Sequence, residues 1–165
     1  MTYTSSEANK LLKEKNDEYT ALLRKEELAS EFIVSLGEDP ETVRPEYSFT
    51  ETRAELDRLM GEIRKIKHAI NVFNSTTIVP EFEMTIDQML VYIPQLTAQK
   101  NRLNRMRGRL PKQREKSYGS SNLVEYSYAN YEIKQAEEEY ERVSRELARA
   151  QTALDVVNNS VKFEI

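Results

Sequence analysis

The chain has 165 residues, 32% of them charged and 39% hydrophobic, with no cysteine, no tryptophan and a net charge of −4. Without cysteine there is no disulfide framework, no thiol nucleophile and no cysteine-ligated zinc, and the mild negative charge gives no global attraction to nucleic acid or anionic lipid. The N-terminus lacks the basic and apolar regions of a signal peptide, and no apolar run nears the ~18 residues of a membrane span, so a soluble cytoplasmic protein is expected.

The apolar residues recur at helical spacing, which separates this polar chain from a disordered one. The first helix is predicted over 5–36. Thr4 with Glu7 forms its capping box. Its seam runs Leu12, Tyr19, Leu22, Ala29, Ile33 and Leu36, with Lys15 and Glu26 in the remaining heptad slots. Gly37 is placed as the residue just past the helix, and Asp39-Pro40 forbids continuation.

The second helix is predicted over 49–74, with Ser48 and Glu51 as its capping box. Phe49, Thr52, Leu56, Leu59, Ile63, Ile66, Ile70 and Phe73 follow at steps of three and four, a coiled-coil-type seam. The third, over 85–115, is capped by Thr85 with Gln88. It carries Met89, Ile93, Leu96, Leu103 and Leu110, interrupted by Lys100 and Arg107. Pro94 lies inside it and is expected to kink or break its first segment. The fourth, over 129–158, reads Ile133, Ala136, Tyr140, Val143, Leu147, Ala150, Leu154 and Val157. Asn74 and Asn158 are read as C-terminal caps.

Four amphipathic helices joined by short loops imply an all-α protein. The expected form is one domain, 1–165, an elongated antiparallel four-helix bundle or a pair of long helical hairpins with coiled-coil-like seams. A small β element is expected at one end, formed by pairing 77–79 with 161–165. An internal repeat supports the hairpin reading. Glu55, Arg58, Glu62, Ala69, Val72 and Asn74 recur 84 residues later as Glu139, Arg142, Glu146, Ala153, Val156 and Asn158. Leu12 with Leu96 and Tyr19 with Leu103 extend it to the first and third helices. This pattern suggests a duplicated helical hairpin with a pseudo-twofold relation.

The segment Ile66-Lys67-His68-Ala69-Ile70-Asn71-Val72-Phe73-Asn74-Ser75-Thr76 resembles a helix-ending motif in a family of small uncharacterised bacterial helical proteins, some of them labelled septicolysin. The Met84-Thr85 helix start, the arginine-rich 101–110 stretch and the Leu154-Asp155…Asn158 ending fall in matching order, with departures at Pro94 and Asn159. The resemblance implies a helical fold and a bacterial origin, and no established activity.

Chemistry is sparse. His68, the one histidine, falls off the seam and reads as solvent-facing. Nucleophile-elbow, P-loop and dinucleotide-glycine patterns are missing, and Glu137-Glu138-Glu139 reads as a solvated helix face. No enzyme is expected, and no catalytic, cofactor-binding or metal residue is assigned. The basic stretch holds more. Lys100, Arg102, Arg105, Arg107, Arg109, Lys112, Arg114 and Lys116 stand against one acid, Glu115, a net +7, and Tyr118, Tyr126, Tyr128 and Tyr131 follow. Cations near a helix C-terminus paired with acids such as Glu137–Glu141 explain this without a ligand. The alternative is a nucleic-acid or partner contact through Lys100, Arg102, Arg105, Arg109, Lys112, Arg114 and Lys116. The polar seam residues read as register control. The expected function is a non-catalytic interaction or scaffold protein that forms a homo-oligomer or docks partner helices, with nucleic-acid association as the alternative. No membrane role and no small-molecule substrate are assigned.

Overall fold

The structure, a computed structural model, describes residues 1–115 and 124–165. In chain order its elements are β1 (Thr2–Thr4), α1 (Ser5–Ala29), α2 (Pro40–Val43), α3 (Phe49–Thr76), β2 (Ile78–Val79), β3 (Met84–Thr85), α4 (Ile86–Arg107), β4 (Lys112–Arg114), β5 (Tyr126–Tyr128), α5 (Ile133–Ser160) and β6 (Lys162–Glu164). The fold is mainly α, as the seams require, with short strands at the helix ends. The elements gather into two compact units, 1–76 with 158–165, and 77–157.

In the first unit α1 runs antiparallel to α3. Fully buried Ala8 packs with Ile66 and Ile70, and Tyr3, Leu11, Leu12, Phe163 and Ile165 border them. Lys15 reaches across from α1 to Glu62 at 3.6 Å while holding Glu18 at 2.9 Å. Further along, the Tyr47 hydroxyl donates to Glu26 at 3.0 Å. Two expected seam intruders, Lys15 and Glu26, are therefore partnered polar contacts. The α3 seam is buried at Leu56, Leu59, Ile66, Ile70 and Phe73, with Ile63 only partly covered. At the Ser48 end the cap is one-sided, with the Glu51 amide donating to Ser48 Oγ at 3.4 Å.

Helix α1 stops at Ala29 rather than at 36. Its partner α3 begins at Phe49, so residues past Ala29 face no helix to pack against, and a helix without tertiary packing is marginal. Phe32-Ile33-Val34 adds a bulky, β-branched run that disfavours helix. Gly37 is therefore not a helix terminator. It sits in a β-turn closed by the Glu38 amide donating to the Ser35 carbonyl at 3.0 Å, with φ +90° at the third turn position, where a type II turn needs glycine.

In the second unit α4 and α5 pair antiparallel. The Tyr92 hydroxyl donates to Glu146, and the Tyr131 hydroxyl donates to the Met106 carbonyl at 2.7 Å. Ile86, Met89, Leu96 and Leu103 are the buried face of α4; Ala136, Val143, Leu147, Ala150, Leu154 and Val157 are that of α5. Helix α4 continues through Pro94 without a break. The carbonyl that Pro94 cannot serve belongs to Leu90, on the exposed side where water can donate instead. The helix ends at Arg107, not 115, because Gly108 and Pro111 follow and Pro111 offers no amide. Leu110 is accordingly exposed and outside the seam. The last long helix starts at Ile133 rather than at 129, since Tyr126–Tyr128 is held extended against β4 and the Ala129 amide continues that ladder to the Pro111 carbonyl at 3.1 Å.

The strands correct one expectation and extend another. Residues 77–79 and 161–165 do not pair with each other: β2 pairs with β3, and β6 pairs with β1, all antiparallel. Each strand leaving a helix instead finds the strand that enters another, which satisfies its open backbone groups locally. The repeat extends into these pairings. Helices α3 and α5 are both 28 residues long and begin 84 positions apart, at 49 and 133. Arg58 clamps Glu55 and Glu62, and Arg142 clamps Glu139 and Glu146. Asn74 and Asn158 both bury an Oδ1 that has no hydrogen-bond partner among the described residues. Neither caps its helix in the left-handed conformation, since both helices run two residues further. For α1 and α4 the spacing is 81, not 84: Thr4 corresponds to Thr85, Glu7 to Gln88 and fully buried Ala8 to fully buried Met89. Thr4 opposite Lys162 and Tyr3 opposite Phe163 then correspond to Thr85 opposite Ile78 and Met84 opposite Val79.

Candidate functional site

The basic stretch divides into two parts. Lys100 and Arg107 turn inward onto the Tyr140 ring, at 5.8 and 3.8 Å from its centroid, a cation–π clamp within the second unit. Arg102, Arg105 and Arg109 are exposed, as are Lys112 and Arg114 on β4. Lys116 and Tyr118 lie outside the described residues. Of the acids expected to neutralise this stretch, Glu138, Glu139 and Glu141 are engaged on their own helix, with Lys134, Arg142 and Arg145. Among the described residues, Arg102, Arg105, Arg109, Lys112 and Arg114 form no ion pair.

Strand pairing decides which of these cations act together. The β4–β5 register sets Lys112 opposite Tyr128, Gln113 opposite Ser127 and Arg114 opposite Tyr126. Opposed residues share a face and successive ones alternate. Lys112, Arg114, Tyr126 and Tyr128 therefore form one face, and the Lys112 ammonium lies 4.3 Å from the Tyr126 ring centroid and 5.4 Å from that of Tyr128. All six ribbon residues are exposed, and exposed Leu110 and Val124 flank them. The sequence reading put these cations on a helix. A helix would have scattered them, whereas the ribbon aligns two with two tyrosines.

A second surface was missed altogether. Residues 30–48, joining α1 to α3, hold five carboxylates against one cation, Arg44, a net −4. Glu41 is tied to Arg44 at 2.7 Å, which leaves Glu31, Glu38, Asp39 and Glu46 without a cation among the described residues. In the same connection Ile33 is 96% exposed and Leu36 fully so. The helix C-terminal side of Leu22, Lys25, Glu26 and Ala29 borders a polar cleft of about 480 Å³ with Tyr47, Ser48 and Glu51. Burial first, then the hydrogen bond to Glu26, raises the Tyr47 phenol above its ordinary pKa. The signal that could have found this surface is the β-branched run before Pro40, which heptad spacing outweighed.

His68 is exposed, as its off-seam position requires. Among the described residues, no group of three or more His, Asp or Glu is placed to hold a metal ion, and no helix is long and apolar enough to cross a membrane. The solved structure of a functionally unknown conserved protein from Corynebacterium diphtheriae is similar in fold, at a TM-score of 0.61 and 17% identity over 99% of this chain and 100% of that one. No family model matches the chain, and no curated protein matches it.

Proposed function

We propose that this chain is a non-catalytic helical interaction protein that associates with copies of itself. The observation that carries the reading is the apolar character of the α1–α3 connection, where Ile33 and Leu36 stand in water beside partly exposed Phe32 and Val34. Neighbouring apolar side chains left uncovered on a surface mark contact sites more often than isolated ones do. Sedimentation velocity over a concentration series tests it. The expected result is a mass above the monomer that grows with concentration; a single monomeric species throughout would end the proposal.

The β4–β5 ribbon supports a second reading, nucleic-acid association, because it aligns Lys112 and Arg114 with Tyr126 and Tyr128 on one exposed face. Fluorescence anisotropy with single-stranded oligonucleotides, repeated across a salt series, tests it. Phosphate contacts give an affinity that falls steeply with salt. Binding that is absent at low salt, or flat with salt, counts against this reading.

A further inference from the structure

The two exposed surfaces differ in a complementary way. The α1–α3 connection is acidic and apolar, holding exposed Glu31, Glu38 and Glu46 as well as exposed Ile33 and Leu36. The β4–β5 ribbon is basic and aromatic, with Lys112 and Arg114 beside Tyr126 and Tyr128, and with Leu110 exposed nearby. The apolar side chains Ile33, Leu36 and Leu110 and the rings of Tyr126 and Tyr128 are all exposed. We propose that the α1–α3 connection of one copy docks on the β4–β5 ribbon of a second copy. The inference rests on the self-association reading above and names its two surfaces.

Three observations favour a second copy over nucleic acid as the ribbon's partner. The Tyr126 and Tyr128 rings already carry the Lys112 ammonium, which occupies ring surface that a stacked base would need. The chain is net negative, which opposes a polyanion as a whole. The acidic connection supplies carboxylates for Lys112 and Arg114, which form no ion pair among the described residues, and apolar side chains to cover the exposed tyrosine rings. Opposite potentials across such a contact speed encounter and fix which surfaces meet. The contact joins two different patches, so it closes into a ring where two copies meet reciprocally and otherwise extends into a chain of copies.

Reciprocal charge exchange tests the pairing. One variant carries Glu31→Lys, Glu38→Lys and Glu46→Lys; the other carries Lys112→Glu and Arg114→Glu. Every substituted side chain is exposed, and circular dichroism confirms that each variant is folded. Each variant alone is expected to associate at least about tenfold more weakly than the unmodified chain, since opposed charges become like charges. An equimolar mixture is expected to regain association, because the altered connection of one then faces the altered ribbon of the other. Ile33→Ser with Leu36→Ser is expected to weaken association at all salt concentrations, whereas the charge contribution fades between about 50 and 500 mM salt. Association that survives all three variants unchanged would overturn these surfaces and leave self-association standing through another face. A monomer at every concentration would overturn both. Oligonucleotide binding by such a monomer, lost in the Lys112→Glu, Arg114→Glu variant, would assign the ribbon to nucleic acid instead.

Discussion

Thr4 and Thr85 start two helices in the same way, yet only one of the two caps involves an ionised side chain. The Thr4 amide donates to Glu7 at 2.8 Å and the Glu7 amide to the Thr4 hydroxyl at 3.2 Å; Thr85 and Gln88 repeat both distances. Loss of either threonine hydroxyl is expected to cost about 1 kcal/mol in a denaturant titration. The two boxes differ in acid. The Glu7 carboxylate is held below its ordinary pKa of 4.5, first by the Thr4 amide and then by the Thr4 hydroxyl. A depressed carboxylate contributes stability that is present above pH 4.5 and lost as pH falls through its folded value. The stability difference between the native chain and Glu7→Gln is therefore expected to shrink on acidification, whereas that for Gln88→Ala stays level. Parallel pH profiles for the two would contradict the carboxylate's role. Burial separates Leu56 from Leu36 just as sharply. Leu56 is fully buried and Leu36 fully exposed, so Leu56→Ala is expected to cost about 2–5 kcal/mol and Leu36→Ser no more than about 0.5 kcal/mol. Similar thermal shifts for the two would place the seam elsewhere.

At the scale of elements, the short strands do more than end the helices. Tyr3 on β1 lies opposite Phe163 on β6, and the Phe163 ring stacks on Phe73 of α3 at 4.3 Å. The last strand thus ties the start of α1 to the end of α3 in the first unit. Phe163→Ala is expected to destabilise the chain by at least about 1 kcal/mol, through lost ring stacking and the burial that goes with it. Amide exchange reports the same tie. Residues 2–4 and 162–164 are expected to share slow exchange in the native chain and to lose it together in Phe163→Ala, while 78–79 and 84–85 keep theirs. Unprotected exchange at 2–4 in the native chain would remove the strand pair. The repeated Arg58 and Arg142 clamps hold Glu at three before and four after on α3 and α5. Such exposed pairs are weak because solvent and salt screen them, so the seams rather than the clamps hold these helices.

On the scale of the whole molecule, charge is segregated. A net +7 over 100–116 and a net −4 over 30–48 sit in a chain whose total is −4. Segregation of this kind makes association salt-dependent when unlike regions of two copies meet, since exposed charges are screened beyond about 8–10 Å at physiological salt. The expected result is that oligomer mass in sedimentation falls as salt rises. A mass that rises with salt would mean that apolar contact alone drives assembly. The repeat has its own consequence at this scale. Because strand pairing, capping and Arg clamps recur in both halves, the halves differ chiefly in what joins their helices, the acidic connection in one and the basic ribbon in the other. That difference is what gives the chain two unlike surfaces.

Helical periodicity alone determined the four long helices, the two threonine capping boxes and most of the α3 and α5 buried stripes, because spacing of apolar residues and short-range caps are local properties of the chain. It also exposed the 84-residue repeat, which polar identities such as Arg58 and Arg142 carry. The tertiary structure decided where α1 stops, since Ile33 and Leu36 keep helical spacing but have no facing helix to bury them; α4 is stopped by Gly108 and Pro111, a local signal that the seam spacing through Leu110 outweighed. It decided strand partners too, because residues 78–79 can pair with any extended segment nearby, and only the fold brings 84–85 there. The candidate surfaces followed from both. The cations and tyrosines were legible in sequence, but their alignment on one face depends on a register between residues 112–114 and 126–128 that no local spacing encodes.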